Sequence, residues 1–487
     1  MTPDYDRVVL RANRYLRERI EPAIYPMLVS VAIEMWEAPG EPVPFETAVT
    51  SPYELVELGR AWGRPWGTTW FRVSGVVPGD WAPSRAELVM DLGFAQGRDG
   101  FQAEGLAFTE SGAVIKGVEP NSRYIPVSAA PGSPFVCYVE AASNPDFLST
   151  GWTYAPTPMG SRTTAGDDLL YRLESCFLSA RSDAVWSLAQ EVPLLLGIAT
   201  ILNTGSTRRA EILVALSRCL DAIDVQHVEA TADAARACLA DALAQPAHAS
   251  AHHVVATGHA HIDSAWLWPV RETVRKCART FSNVLSLMDE DSDLVFACSS
   301  AQQFAWVKQY YPELFARLAA RVGEGRFVPV GGMWVESDTN MPSGESMIRQ
   351  FLYGKQFFDE EFGVEPNEVW LPDSFGYSAA LPQIADHVGC HYLLTQKLSW
   401  NDTNAMPFST FLWEGIDGTR LFTHFPPVST YNSDLSPTEL NRSEVRFQER
   451  GLARLSMVPF GYGDGGGGPT REMLGIALRA PSLEGRP

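Results

Sequence analysis

The stretch "GHAHIDSAW" sets His261 and Asp263 two residues apart, directly after an apolar run. Side chains of extended backbone repeat with a period of two, so this imidazole and carboxylate leave the chain on the same side. Such a pair suits Zn2+, which binds nitrogen and oxygen ligands at about 2.0–2.2 Å. Taken alone, the same residues also fit a capping aspartate beside a hydrogen-bonded histidine at a helix start. Asp373, in "LPDSFGYS", is held outward by Pro372 before it and a Ser-Phe-Gly turn after it. An N-cap is the alternative role there. Joined on one rim, His261, Asp263 and Asp373 could build a divalent site with a position open to substrate, as a catalytic zinc requires.

Other polar residues also stand at the ends of apolar runs: His259, Glu336 and Asp338, Lys397, His424, and Asp464 ahead of four glycines. The glycine run lacks the Gly-Lys-Ser/Thr ending of a phosphate-cradling loop. Trp266, Trp334, Phe375, Trp400, Tyr431 and Tyr462 flank these positions. Rings beside carboxylates suit a sugar, whose C–H face stacks while its hydroxyls are hydrogen-bonded.

The elements that must position these groups follow from periodicity. Residues 1–43 read as a helical segment that stops at "APGEPVP", and 44–165 as short alternating runs of a jelly-roll-like β-sandwich. Residues 166–250 read as a helical linker region, with "DDLLYRLESCFLSARSDAVWSLAQEV" taken as helix. From 251 to 487 strand and helix patterns alternate, which implies a parallel sheet covered by helices. Chemistry in such sheets gathers at the carboxyl ends of the strands, where the residues above fall.

The formal charge of −20 disfavours polyanionic partners such as nucleic acid, and no stretch reads as a membrane span. The seven cysteines are scattered without CxxC spacing and the amino terminus lacks the apolar core of a secretory signal. Both point to a cytoplasmic protein with reduced thiols.

"GHAHIDSAWLWPVRETVRK", "GGMWVESDTNMPSGES", "VWLPDSFGYSAALPQI", "LFTHFPPVSTYN" and "GYGDGGGGPT" resemble, in order, the blocks of glycoside hydrolase family 38, the class II α-mannosidases. "WGRPWGTTWFRV" resembles a segment of the cytosolic and bacterial branch. The resemblance implies a seven-stranded α/β barrel, one Zn2+ per chain, and retaining hydrolysis of oligosaccharides ending in α-mannose. By resemblance His261, Asp263 and Asp373 hold zinc, and Asp373 is also the nucleophile. Trp266, Phe375, Lys397 and Tyr431 match substrate-contacting positions. Gly465 replaces the second aspartate of the pair that supplies the general acid in other branches, leaving Asp464 as first candidate and Asp338 as second.

The family's fourth zinc ligand, a histidine, lies on a segment past the glycine run. The chain ends at Pro487, so the expectation is a barrel incomplete at its C-terminal end, with His424 as a partial substitute ligand or, as its position in the family implies, a residue packed near the site. Family likeness also implies homo-oligomers. The rival readings are a metal-dependent deacetylase-like hydrolase and a catalytically impaired sugar-binding fragment.

Overall fold

The computed structural model describes residues 3–81, 86–95, 97–146, 165–479 and 483. The junction expected at 165 abuts residues outside this set.

The first helix, α1 (Tyr5–Tyr15), is capped by Asp4, whose carboxylate accepts from the Arg7 amide at 3.0 Å. The expected helical segment ends much earlier than residue 43, because β1 (Ala32–Ala38) pairs over all seven residues with β2 (Thr68–Val76). The sandwich continues through β3 (Ala86–Asp91), β4 (Glu104–Thr109), β5 (Val114–Val118), β6 (Tyr124–Pro126) and β7 (Pro134–Ala142). It closes with β8 (Ser175–Ala180), which lies within the stretch expected to be helical. Cys176 and Leu178 alternate inward on β8, and that period of two prevails over the local helical spacing. The larger sheet runs Glu54–Leu55, β1, β2, β7, β4, β5, and the smaller runs β8, β3, β6. Phe71, Val73, Leu88, Met90, Val139 and Leu178 fill the space between them.

Helices α2 (Asp183–Ile201), α3 (Thr207–Ala222) and α4 (Val228–Ala237) form a second core together with Val8, Ala12, Leu16 and Ile20. Contrary to the sequence expectation, α2 is long and apolar enough to cross a bilayer. Here it is mostly buried in protein, and its Glu191 carboxylate meets the Arg236 guanidinium at 2.8 Å.

The remaining strands are β9 (His253–His259), β10 (Phe296–Cys298), β11 (Phe327–Pro329), β12 (Glu368–Leu371), β13 (Tyr392–Thr395), β14 (Thr410–Glu414), β15 (Arg420–His424) and β16 (Leu455–Phe460). They form two four-stranded sheets, ordered β11-β10-β9-β16 and β12-β13-β15-β14. All pairs are parallel except β14 with β15. Side chains bridge both gaps between the sheets. Glu368 on β12 accepts from the amide of Gly331, just past β11, at 3.0 Å, and His424 on β15 accepts from the Met457 amide of β16 at 3.2 Å.

The other nitrogen of His424 meets Thr410 Oγ1 at 2.9 Å, so both ring nitrogens are engaged. His424 is therefore a strap between strands and not the substitute metal ligand. Burial pushes it down to about 4, which keeps Nε2 free to accept.

Helix α5 (Val270–Glu290) joins the sandwich to these sheets and is buried along nearly its whole length. Its apolar side, with Cys277, Phe281 and Val284, shares one core with Trp70, Leu106 and Tyr138 of the sandwich and Phe296 of β10. Further helices are α6 (Ala301–Tyr310), α7 (Pro312–Gly323), α8 (Gly344–Phe362), α9 (Leu381–His387), α10 (Pro437–Arg446) and α11 (Arg471–Arg479). Ser343 caps α8 as expected, accepting from the Ser346 amide at 3.2 Å, and left-handed Gly363 ends it.

Replacing His424 with Ala leaves the half-buried Met457 amide without its side-chain acceptor and should cost about 1 kcal/mol in urea denaturation. His424→Gln, which can still accept, should recover part of that loss.

Candidate active site

His261 and Asp263 follow β9, Glu336 follows β11, Asp373 follows β12, Lys397 follows β13, Tyr431 follows β15 and Asp464 follows β16. The parallel topology delivers all of them at strand carboxyl ends. The sequence places them there one by one, and the structure brings them together.

His261 is the centre. Its Nε2 lies 3.3 Å from Asp263 Oδ1 and 3.4 Å from Asp373 Oδ2, while its Nδ1 lies 3.0 Å from Glu336 Oε2. Glu336 is itself braced by the Ser299 hydroxyl, and its amide donates to Ser300 Oγ at 3.0 Å. Gln303 donates to the Ile262 carbonyl at 2.7 Å, fixing the backbone between His261 and Asp263. Burial works to lower the His261 pKa, but Glu336, Asp263 and Asp373 overcome it and hold the imidazole well above its ordinary value.

The other oxygen of Asp373, Oδ1, pairs with the Lys397 ammonium and accepts from the Tyr431 hydroxyl at 2.8 Å. Burial works to raise the Asp373 carboxyl, yet the hydrogen bonds and charges of His261 and Lys397 keep it below the usual range. Burial and the nearby Asp464 and Asp373 push the Tyr431 hydroxyl far up, so it stays a donor. Lys397 Nζ sits 3.5 Å from the Trp400 ring centroid, 4.6 Å from Phe375 and 5.3 Å from Tyr431.

Asp464 is tied into the same centre by its amide, which donates to the His261 carbonyl at 2.6 Å. Burial pushes its carboxyl up to about 6; the His261 charge opposes this, and Asp263 and Asp373 add to it. Asp338 differs. It is exposed, and its carboxylate accepts from the Asn340 and Met341 amides at 2.6 and 3.1 Å, which hold it below the usual range. That makes it a turn cap with no proton to give at neutral pH. Trp266 remains half exposed beyond Asp263 and joins none of the ring or ion contacts described.

The donor set fits a divalent cation. Nε2 of His261 and one oxygen each of Asp263 and Asp373 lie within 4.8 Å of one another. The His261 separations also exceed the about 2.7–2.9 Å of a closed charge-assisted hydrogen bond. Four carboxylates surround one imidazole and one ammonium, so a dication offsets like-charge repulsion. Glu336, placed by sequence at a strand end but given no role, stands against Nδ1 of His261, where a carboxylate would brace the ring if Nε2 held a metal. His259 is by contrast a core residue whose Nδ1 donates to the Ala297 carbonyl at 3.0 Å, and burial holds it down at about 4.

Residues 251–487 match the glycosyl hydrolases family 38 N-terminal domain, and residues 25–179 match the α-mannosidase jelly-roll domain. The chain belongs to glycoside hydrolase family 38. It is 40% identical to α-mannosidase 2C1 of Mus musculus over 94% of its own length and 43% of that protein's. It is 33% identical to α-mannosidase G of Dictyostelium discoideum, over 94% of this chain and 42% of that one. It is also 33% identical to an α-mannosidase of Saccharomyces cerevisiae, over 89% and 40% respectively. The chain thus spans less than half the length of these relatives. The jelly-roll match begins before β1 and takes in β8, in agreement with the strands that displaced the expected boundaries at 43 and 165.

Zinc added to metal-free protein should stabilise it by about 2.7 kcal/mol at a free concentration 100 times Kd. His261→Ala should abolish that gain. Glu336→Gln should keep the site but weaken zinc by about 10–100-fold in chelator competition.

Proposed function

We propose that this chain carries the catalytic centre of a retaining α-mannosidase that removes terminal α-mannose from oligosaccharides in the cytoplasm. The observation that carries the reading is the environment of Asp373. Its carboxylate is held ionised by His261 and Lys397 while it accepts from the Tyr431 hydroxyl, within the electrostatic reach of a carboxyl that stays protonated to about pH 6. Two carboxyls with opposed pKa shifts are the pairing that glycoside hydrolysis uses.

In this reading the seven parallel strands β9, β10, β11, β12, β13, β15 and β16 form one barrel circuit around the site. His261, Asp263 and Asp373 would hold Zn2+, which when bound supplies a Lewis-acidic anchor for sugar hydroxyls. Asp373 attacks the anomeric carbon as the bond to the leaving oxygen breaks, and the Asp464 carboxyl gives that oxygen its proton. The glycosyl ester on Asp373 is then cleaved by water, whose proton Asp464 takes back. Lys397 and Tyr431 orient the nucleophile, and the exposed rings of Phe375 and Trp266 offer faces to the sugar. The seven unpaired cysteines, six of them buried, support a reducing compartment.

A 2-fluoro mannosyl donor with a good leaving group should label Asp373, read as a mass increment on its peptide. A deacetylase-like enzyme, with water attacking directly, would leave that peptide unmodified, and a sugar-binding fragment would bind mannose without turnover. Asp373→Asn should reduce hydrolysis of an aryl α-mannoside by more than about 10⁴-fold, the scale of losing a nucleophile.

A further inference from the structure

The charged side of α5 faces the sandwich and is buried there. Lys276 and Arg279 both pair with Glu104 of β4, the latter at 2.6 Å, and all three side chains are at most 1% exposed. Next to them Arg275 meets Glu272 at 2.7 Å, Thr68 Oγ1 of β2 at 3.1 Å and Glu140 of β7 at 3.5 Å.

The loop that carries Asp464 is wedged against this cluster. Tyr462 and Gly468 pair in both directions at 2.8 Å, closing residues 462–468 into a tight turn. Four close approaches fix where the turn sits. A Cβ on Gly465 would strike the Lys276 ammonium, and one on Gly467 would strike the carboxylate of Glu119, just past β5. One on Gly466 would lie 3.1 Å from Asp99 Cβ, and one on Gly100 would strike the Asp464 carbonyl. Asp464 itself has φ +53°, a left-handed conformation that an aspartate adopts at a cost and that its surroundings must impose. Of those surroundings, Asp99, Gly100 and Glu119 belong to the sandwich, and Lys276 is held by the sandwich's Glu104.

We propose that the jelly-roll domain is a working part of the catalytic centre, its Asp99–Gly100 backbone and the Glu104–Lys276 pair acting as a clamp that aims the Asp464 carboxyl at the leaving oxygen. Gly100, Glu104 and Lys276 are positioning residues, and none of them touches the substrate. The proposal rests on Asp464 as proton donor and adds the requirement that a separate domain holds it in place.

The test measures kcat/KM of the full chain on aryl α-mannosides whose leaving groups run from 2,4-dinitrophenolate, which needs no proton, to 4-methoxyphenolate, which does. Gly100→Ala adds one methyl group from the sandwich side, at a residue with ordinary φ, and Lys276→Met removes the clamp's charge. Both should lose about 10–100-fold on the methoxyphenyl substrate and less than about threefold on the dinitrophenyl one, as expected when an acid is displaced by roughly 1 Å. Zinc affinity should stay at the wild-type value in both. Asp464→Asn serves as reference and should give the steepest dependence on leaving group. Equal losses on all substrates in Gly100→Ala, beside a steep series in Asp464→Asn, would overturn the clamp while leaving the acid in place. A flat series in Asp464→Asn would overturn the acid assignment itself. If Lys276→Met fails to fold, Gly100→Ala decides the question alone.

Discussion

Glu104 is the residue on which the rest of the architecture depends. Removing a charge from water costs several kcal/mol per ion, and α5 buries Glu272, Arg275, Lys276 and Arg279 within ten residues. Two of the three cations are met by a single carboxylate from a different domain. The helix can occupy the middle of the molecule only with the sandwich seated against it. Its opposite side meanwhile joins Trp70 and Tyr138 to Phe281 and Phe296 in one apolar core. Ion pairs and hydrophobic packing thus fix the same mutual orientation, one through direction and the other through area.

The catalytic centre repeats this logic with the opposite sign. Asp263, Asp373, Glu336 and Asp464 would repel one another in a half-buried cleft, and His261 and Lys397 offset only part of that charge. The division of labour among the carboxylates follows from their neighbours. Asp373 has an imidazole and an ammonium beside it and is ionised, whereas Asp464 is buried near other anions and keeps its proton up to about pH 6. Identical side chains acquire opposite roles through desolvation and contact alone.

The site was more legible than the scaffold around it. His261, Asp263, Asp373, Lys397 and Asp464 each follow a short apolar run, and parallel strands carry such residues to one rim, so their convergence could be read from spacing. Glu336 stood in the same register, but nothing in a linear string says that it faces the second nitrogen of His261. The strand at 32–38 follows a helical pattern carried by Val8 to Ile24, and the stop expected for that helix at "APGEPVP" lies beyond it. The strand at 175–180 lies in a run whose apolar spacing is helical; pairing with distant strands decides both. The charged stripe of α5 has the composition of a solvated face. Only the sandwich, more than 100 residues earlier in the chain, makes it an interior.

One feature of the two parallel sheets bears on how the molecule holds together. Among the described residues no strand ladder joins β11 to β12 or β15 to β16; the sheets meet through the side chains of Glu368 and His424, through Ser433, whose backbone pairs with that of β16, and through an apolar cluster of Ala297, Val330, Trp370 and Leu394. His261, Asp263 and Asp464 ride on one sheet, and Asp373 and Lys397 on the other. An ion gripped by His261, Asp263 and Asp373 would therefore tie the carboxyl ends of the two sheets together at one point, adding to the packing and backbone contacts that already join them. Chemistry and this added fastening would then share the same three side chains.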